Sequence, residues 1–203
     1  TGRNAKKLES AAAKLEKHGC SVTPVSCDVT QPEQVQELFA TVQKQHSTID
    51  ALINNAGIAH ALEPTENLSI NIWKRVIDTN LTGMFLCTRA ALPLIRSGAT
   101  IVNNLSVAAI QPFEGMAAYN ASKAGALGFT NVLREELRKR GIRVLALIPG
   151  ATATEIWDQF WPDAPKAKMV SAATVAQAVL QAVTLPQDTS IEEIRIKPTA
   201  GTL

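Results

Sequence analysis

Short apolar runs alternate with longer helical patterns along the whole chain, and this alternation restricts the fold more than any other feature. Ile49–Ile53, Thr100–Leu105 and Ile142–Ile148 read as buried parallel strands. Val22–Cys27 and Ile191–Ile196 read as two further strands. Between them, Ala5–His18 sets Leu8, Ala12 and Leu15 on one stripe of a helix. Gln31–His46 is a second helix, with Pro32 in its first turn. Ile70–Ser97 predicts one long helix stopped by Gly98, and Met116–Arg140 a helix stopped by Gly141. Ala172–Thr184 is the last helix; Ile58–Asn67 and Ala151–Met169 are connections. The expectation is an α/β fold: a doubly wound parallel sheet with helices on both faces.

At 203 residues the chain makes a single domain, 1–203, with a sizeable core. A net charge of +2 argues against nucleic acid and anionic membrane as partners. No apolar run is long enough to span a bilayer. Cys20, Cys27 and Cys87 show neither metal nor redox spacing, which suits reduced thiols and a cytoplasmic location. His18, His46 and His60 fall in polar or loop contexts and read as surface residues, so no metal site is expected.

The chemistry concentrates in Ser106–Lys123. Tyr119 and Lys123 stand at i and i+4 of a helical segment, on one face. An ammonium beside a phenol favours the phenolate and makes the tyrosine a usable general acid/base. Tyr119 is the only tyrosine of the chain. Ser106 ends a strand, where open α/β sheets bind ligands. Taken singly, each has a plainer reading: an exposed helical pair, or a strand-end hydroxyl.

Three more elements accompany this one: Asn54-Asn55-Ala56-Gly57 after a strand, Asn80 in Asp78-Thr-Asn-Leu-Thr-Gly83, and Pro149-Gly150 closing another strand. In this order and at these spacings the chain resembles the short-chain dehydrogenase/reductase family, from Thr1 to the C-terminus. The resemblance implies a Rossmann-type domain of which the first β-α unit is absent from this sequence. It also implies that the functional molecule possesses that unit. It makes Asn80, Ser106, Tyr119 and Lys123 a catalytic tetrad that interconverts a ketone or aldehyde and the alcohol. Tyr119 is then the general acid/base and Ser106 stabilises the carbonyl oxygen. Lys123 lowers the Tyr119 pKa and binds the nicotinamide ribose, while Asn80 bends its helix and holds a relay water.

By the same resemblance the cofactor is held by Gly2, Arg3, Asp28, Val29, Asn54, Ala56, Gly57, Pro149, Gly150, Thr152 and Thr154, besides Tyr119 and Lys123. Arg3, where relatives that take NAD carry an acidic residue nearby, favours NADP(H), with NAD(H) the alternative. Residues 151–170 match the family's substrate lid; Phe113 and Trp157 join Ser106 and Tyr119 as substrate contacts. Trp157, Phe160 and Trp161 either face an apolar substrate or pack the lid. The small-molecule carbonyl or alcohol itself is left open. The helices around Leu81–Ile95 and Ala117–Leu137 imply a homotetramer or homodimer, with Ile191–Leu203 as a second interface. Two alternatives stand beside this: a catalytically silent cofactor sensor or scaffold, and a 3-oxoacyl-[acyl-carrier-protein] reductase. The latter needs a docking patch, which Arg134, Arg138, Lys139 and Arg140 could supply, unless they merely cap their helix.

Overall fold

The computed structural model describes residues 1–201. Its strands are β1 Ile49–Asn54, β2 Ile95–Asn104, β3 Arg143–Pro149, β4 Thr152–Ala153, β5 Val170–Ser171 and β6 Glu193–Ile196. Its helices are α1 Ala5–Glu16, α2 Pro32–Gln45, α3 Ile70–Ile77, α4 Gly83–Ala91, α5 Ala117–Arg138 and α6 Ala172–Val183. The main sheet runs β1-β2-β3-β6, parallel at every pairing. Parallel neighbours require crossovers, and helices supply them. Leu86, Cys87 and Ala91 of α4 and Leu133 and Leu137 of α5 pack on Ile101 and Val144. Val175 and Ala182 of α6 cover the opposite face at Val102, Leu145 and Leu147. β2 and β3 are thus covered on both faces, as the alternation predicts, while Ala51 and Ile53 of β1 stay exposed.

Three readings of the chain need correction. The helix foreseen over Ile70–Ser97 ends at Ala91, because Pro93 cannot continue it. It is also interrupted by a π-helical turn at Asp78–Thr82. Gly98 is no helix stop: it lies inside β2 at φ +82°, where the pairing with β1 shifts register. Val22–Cys27 is not a strand. Ser26 makes one isolated bridge to Gly2, and Pro24 lacks the donor a ladder needs. His60 is buried, not on the surface, with Nδ1 2.7 Å from the Ala61 carbonyl oxygen.

Residues 151–170 carry a small sheet of their own. β4 and β5 pair parallel, with 3₁₀ turns at Glu155–Gln159 and Lys166–Lys168 between them. The final part of the foreseen interface segment, residues 202 and 203, lies outside the described residues. Among the described residues no helix is long and apolar enough to cross a membrane. Cys20, Cys27 and Cys87 are all free thiols.

Candidate active site

Strand alternation sorts the asparagines at the ends of β1 and β2. Asn54 and Asn103 are paired in register and turn toward α4 and α5. Asn54 Nδ2 donates to Thr88 Oγ1 at 3.0 Å and to Asn103 Oδ1 at 2.8 Å. Asn103 Nδ2 in turn donates to Thr130 Oγ1 at 2.9 Å. The Asn54 side-chain amide is therefore committed to a buried network. Satisfied polar groups of this kind fix register, since a slip would orphan every member. Ala56 and Gly57 follow at the open end of the sheet. A Cβ on Gly57 would lie 3.5 Å from Asn80 Oδ1 and 3.7 Å from Lys123 Nζ.

The π-helical turn carries Asn80 at its centre, fully buried. The local bend is as expected, and π turns of this kind often mark functional sites. Ile58 N donates to Asn80 Oδ1 at 2.8 Å; Asn80 Nδ2 donates to the Ile58 carbonyl at 2.9 Å and to Ser122 Oγ at 3.0 Å. Both amide hydrogens are bonded to protein. Ser122 Oγ passes the link on, donating to the Tyr119 carbonyl at 2.7 Å.

Ser106 caps a 3₁₀ turn at Val107–Ala109, its Oγ accepting from Ala108 N at 3.1 Å. Asn120 Nδ2 donates to the carbonyls of Ala108 and Gln111, at 2.9 and 2.7 Å, tying this loop to the start of α5. Burial pushes the Tyr119 phenol above 10, and the Ser106 hydroxyl partly offsets that. Lys123 Nζ lies 5.7 Å from the Tyr119 ring centroid and donates to the Asn104 carbonyl at 2.9 Å. Burial takes its own pKa down to about 8. The expected depression of Tyr119 by Lys123 is thus not what this state has. Desolvation outweighs an ammonium that is bonded elsewhere.

At the other end, Arg3, Asp28, Thr30, Lys74, Arg75 and Thr79 help line an open cleft of about 330 Å³. Arg3 Nη1 stands 3.8 Å from Asp28 Oδ2, with most of its side chain exposed. Asp28 Oδ1 accepts from Thr30 N at 3.0 Å and Thr30 Oγ1 at 2.8 Å, a turn role. Partial burial raises the Asp28 pKa, but the Thr30 bonds and Arg3 outweigh it and hold it below 3.8. Gly2 bridges Ser26, its carbonyl accepting from Cys27 N at 3.0 Å. The Val29 side chain packs in the core against Gly83. Lys74 and Arg75 were not legible as site residues. Their signal is a basic pair at the end of a short helix whose partner, Arg3, is distant in sequence.

Gly150 N donates to the Ile196 carbonyl at 2.7 Å, so Pro149-Gly150 is pinned at the end of β3. Thr152 Oγ1 donates to the Gly150 carbonyl at 3.1 Å, and the Thr152 carbonyl accepts from Trp157 Nε1 at 2.8 Å. Thr154 occupies the N-cap of the following 3₁₀ turn without a side-chain cap bond. Trp157 packs on Phe160 and Trp161, with ring centroids 4.9 and 6.0 Å away. Phe113 packs against the cluster of Met84, Leu105 and Val107. Residues 151–170 are tied to the loop after β1 by Ala59 N donating to Gln159 Oε1 at 3.0 Å, and to α1 by Lys7–Glu155 at 2.9 Å. The arginines considered for a docking patch are engaged within the chain. Arg134 bonds the carbonyls of Val144 and Glu192, Arg138 pairs with Glu135 and Glu192, and Arg140 bonds the Leu92 carbonyl.

Known proteins agree with this architecture. An oxidoreductase of Staphylococcus aureus strain USA300, described as uncharacterized, is 32% identical over 199 residues, covering 97% of this chain and 84% of that protein. The rabbit (Oryctolagus cuniculus) protein named dehydrogenase/reductase SDR family member 4 is 33% identical over 165 residues, 80% of this chain and 64% of its own length. An alcohol dehydrogenase of Thermococcus sibiricus, solved with 5-hydroxy-NADP, superposes with a TM-score of 0.91 at 25% identity. That match covers 100% of this chain and 86% of that one. The short chain dehydrogenase family model matches residues 1–165, and the chain belongs to that family of oxidoreductases.

Proposed function

We propose that this protein interconverts a ketone or aldehyde and the corresponding alcohol, using NADP(H) in preference to NAD(H). The observation that carries the reading is Lys123 Nζ held 5.7 Å from the ring of the only tyrosine, Tyr119, one helical turn away, with Ser106 capping the turn after the neighbouring strand. Burial pushes the Tyr119 phenol up, and the Lys123 ammonium, once released from the Asn104 carbonyl, acts against that and favours a usable general acid/base. In reduction Tyr119 Oη gives that proton to the carbonyl oxygen; in oxidation it takes the hydroxyl proton. Ser106 Oγ donates a hydrogen bond to the same oxygen as negative charge develops there. The cofactor, when bound, supplies or accepts the hydride. Lys123 brings positive charge beside the phenol and moves from the Asn104 carbonyl to a ribose hydroxyl. Asn80 positions Tyr119 through Ser122.

The residues present fit a nicotinamide dinucleotide. Arg3, Lys74 and Arg75 bring three cations to the cleft where a 2′-phosphate is to be held, against Asp28 and Asp78. Arginine holds phosphate oxygens through paired N–H donors. Gly57, at the sheet's open end, leaves room beside Lys123 for a ribose. Ala56, Pro149, Gly150, Thr152 and Thr154 line the same end in this reading, and the lid closes over an apolar substrate with Phe113 and Trp157 at its wall. We further propose a homodimer or homotetramer through α4 and α5, where Phe85 is 42% and Val132 57% exposed.

The decisive experiment is Tyr119→Phe, assayed by NADPH consumption against a panel of ketones and aldehydes. Turnover falls at least about a hundredfold while NADPH still binds. A variant that turns over like the wild type refutes the assignment; a wild type without turnover but with cofactor affinity favours the sensor reading.

A further inference from the structure

On β2, Ile101 and Asn103 face α4 and α5, whereas Val102 faces α6. Asn104 therefore stands on the α6 face, at the carboxyl end of the strand. That is the edge where a doubly wound sheet opens its ligand crevice. The residue makes two contacts with different parts of the site. Its side-chain Nδ2 donates to Asn55 Oδ1 at 2.6 Å, next to the Ala56-Gly57 turn. Its backbone carbonyl accepts from Lys123 Nζ at 2.9 Å. Its remaining side-chain atom, Oδ1, is buried and has no hydrogen-bond partner among the described residues.

A buried acceptor without a donor costs about 1–3 kcal/mol, so such atoms are rare unless something else fills them. An apolar side chain at this strand end would avoid the cost. We propose that Asn104 is a cofactor-binding residue, its Oδ1 accepting a hydrogen bond from a hydroxyl or amide N–H of the nicotinamide half of the dinucleotide. The nicotinamide half is the one concerned because Asn104 lies between Lys123, which it touches, and Ser106, two residues on. Nδ2 meanwhile holds the Asn55–Gly57 turn in place. The inference rests on the oxidoreductase reading above.

The test titrates NADPH by its fluorescence into the wild type, Asn104→Leu and Asn55→Ala, with thermal midpoints recorded for each. Asn104→Leu loses the acceptor and raises the NADPH Kd about tenfold, which is one ordinary hydrogen bond. Its KM for NADPH rises in step. A merely structural role would lower the thermal midpoint and leave Kd where it was. Asn55→Ala removes only the clasp at an exposed position and raises Kd by about threefold at most. Asn104→Ala gives the same tenfold loss and replaces the leucine variant if that does not fold. An Asn104 variant that binds NADPH within about twofold of the wild type overturns the inference, as does an Asn55→Ala loss equal to that of Asn104→Leu. A wild type that binds neither NADPH nor NADH overturns the oxidoreductase reading, and this inference with it.

Discussion

Lys123 is the costliest residue of the site to keep. Its ammonium is buried, and its pKa stands at about 8 against an ordinary 10.5. The folded state therefore sheds the proton at a lower pH than the unfolded chain does. Between about pH 8 and 10.5 the unfolded chain binds more protons, so this group makes stability rise with pH. The contribution is complete above 10.5 and is lost as pH falls through 8. Lys123→Met removes the buried charge and also the bond to the Asn104 carbonyl. The variant is expected to be about 2 kcal/mol more stable than the wild type at pH 7. Urea denaturation at pH 7 and pH 9.5 checks the sign: the advantage shrinks at the higher pH. Part of this was legible in the sequence, because Tyr119 and Lys123 share a helix and their spacing fixes their common face. The fates of Asn54 and Asn80 were not. Asn54 turns inward because of the face its strand presents, and Asn80 is held by the backbone of Ile58, reached only through the fold.

Elements meet where a small residue lets them. α4 begins at Gly83, and a Cβ there would come within 2.7 Å of Val29 Cγ2 and 3.2 Å of the Val29 carbonyl oxygen. The backbone atom cannot step aside as a flexible side chain can. Gly83→Ala is therefore overpacked, by about 1–3 kcal/mol, and a lowered urea midpoint with unchanged slope reads it. The break between α3 and α4 has the same local importance. The π-helical turn separates them and delivers Asn80 to Ile58 and Ser122. Alternation of apolar runs placed β1 and β3 to within one residue, whereas β2 begins at Ile95, five residues before the foreseen Thr100 and inside the stretch read as helix. It missed the end of α4 because helix propensity continues through Ala90 and Ala91 until Pro93 stops it. It also promised a strand at Val22–Cys27, where periodicity was present and a ladder partner was not.

At the scale of the whole molecule, two surfaces remain uncovered among the described residues. β1 is an edge of the sheet, and Ile53 on it is 46% exposed. The second surface joins α4 and α5, where Phe85 and Phe129 meet edge to face at 6.0 Å and Val132 lies open beside Gly128. Under the proposed assembly this second surface is shared between copies. A carboxylate there would be buried without a partner, so Val132→Glu is expected to shift the protein to monomers with its fold intact. Sedimentation velocity reads the change; a monomeric wild type, or an unchanged variant, refutes that interface.

The sequence by itself determined the fold class, because alternating periods of apolar residues leave a parallel sheet wrapped by helices as the way to bury them. It also determined the Tyr119–Lys123 pair, which needs only one helix, and Ser106, which needs only the end of one strand. What the tertiary structure decided are the contacts that link distant stretches of chain. Among them are the cations Arg3, Lys74 and Arg75 around one cleft, the Ile58 backbone on Asn80, and the Asn104 amide on Asn55. It decided, too, that burial pushes the Tyr119 phenol up while Lys123 bonds the Asn104 carbonyl. Local spacing specifies which residues share a face; desolvation and long-range hydrogen bonds depend on what packs opposite that face, and only the folded chain supplies it.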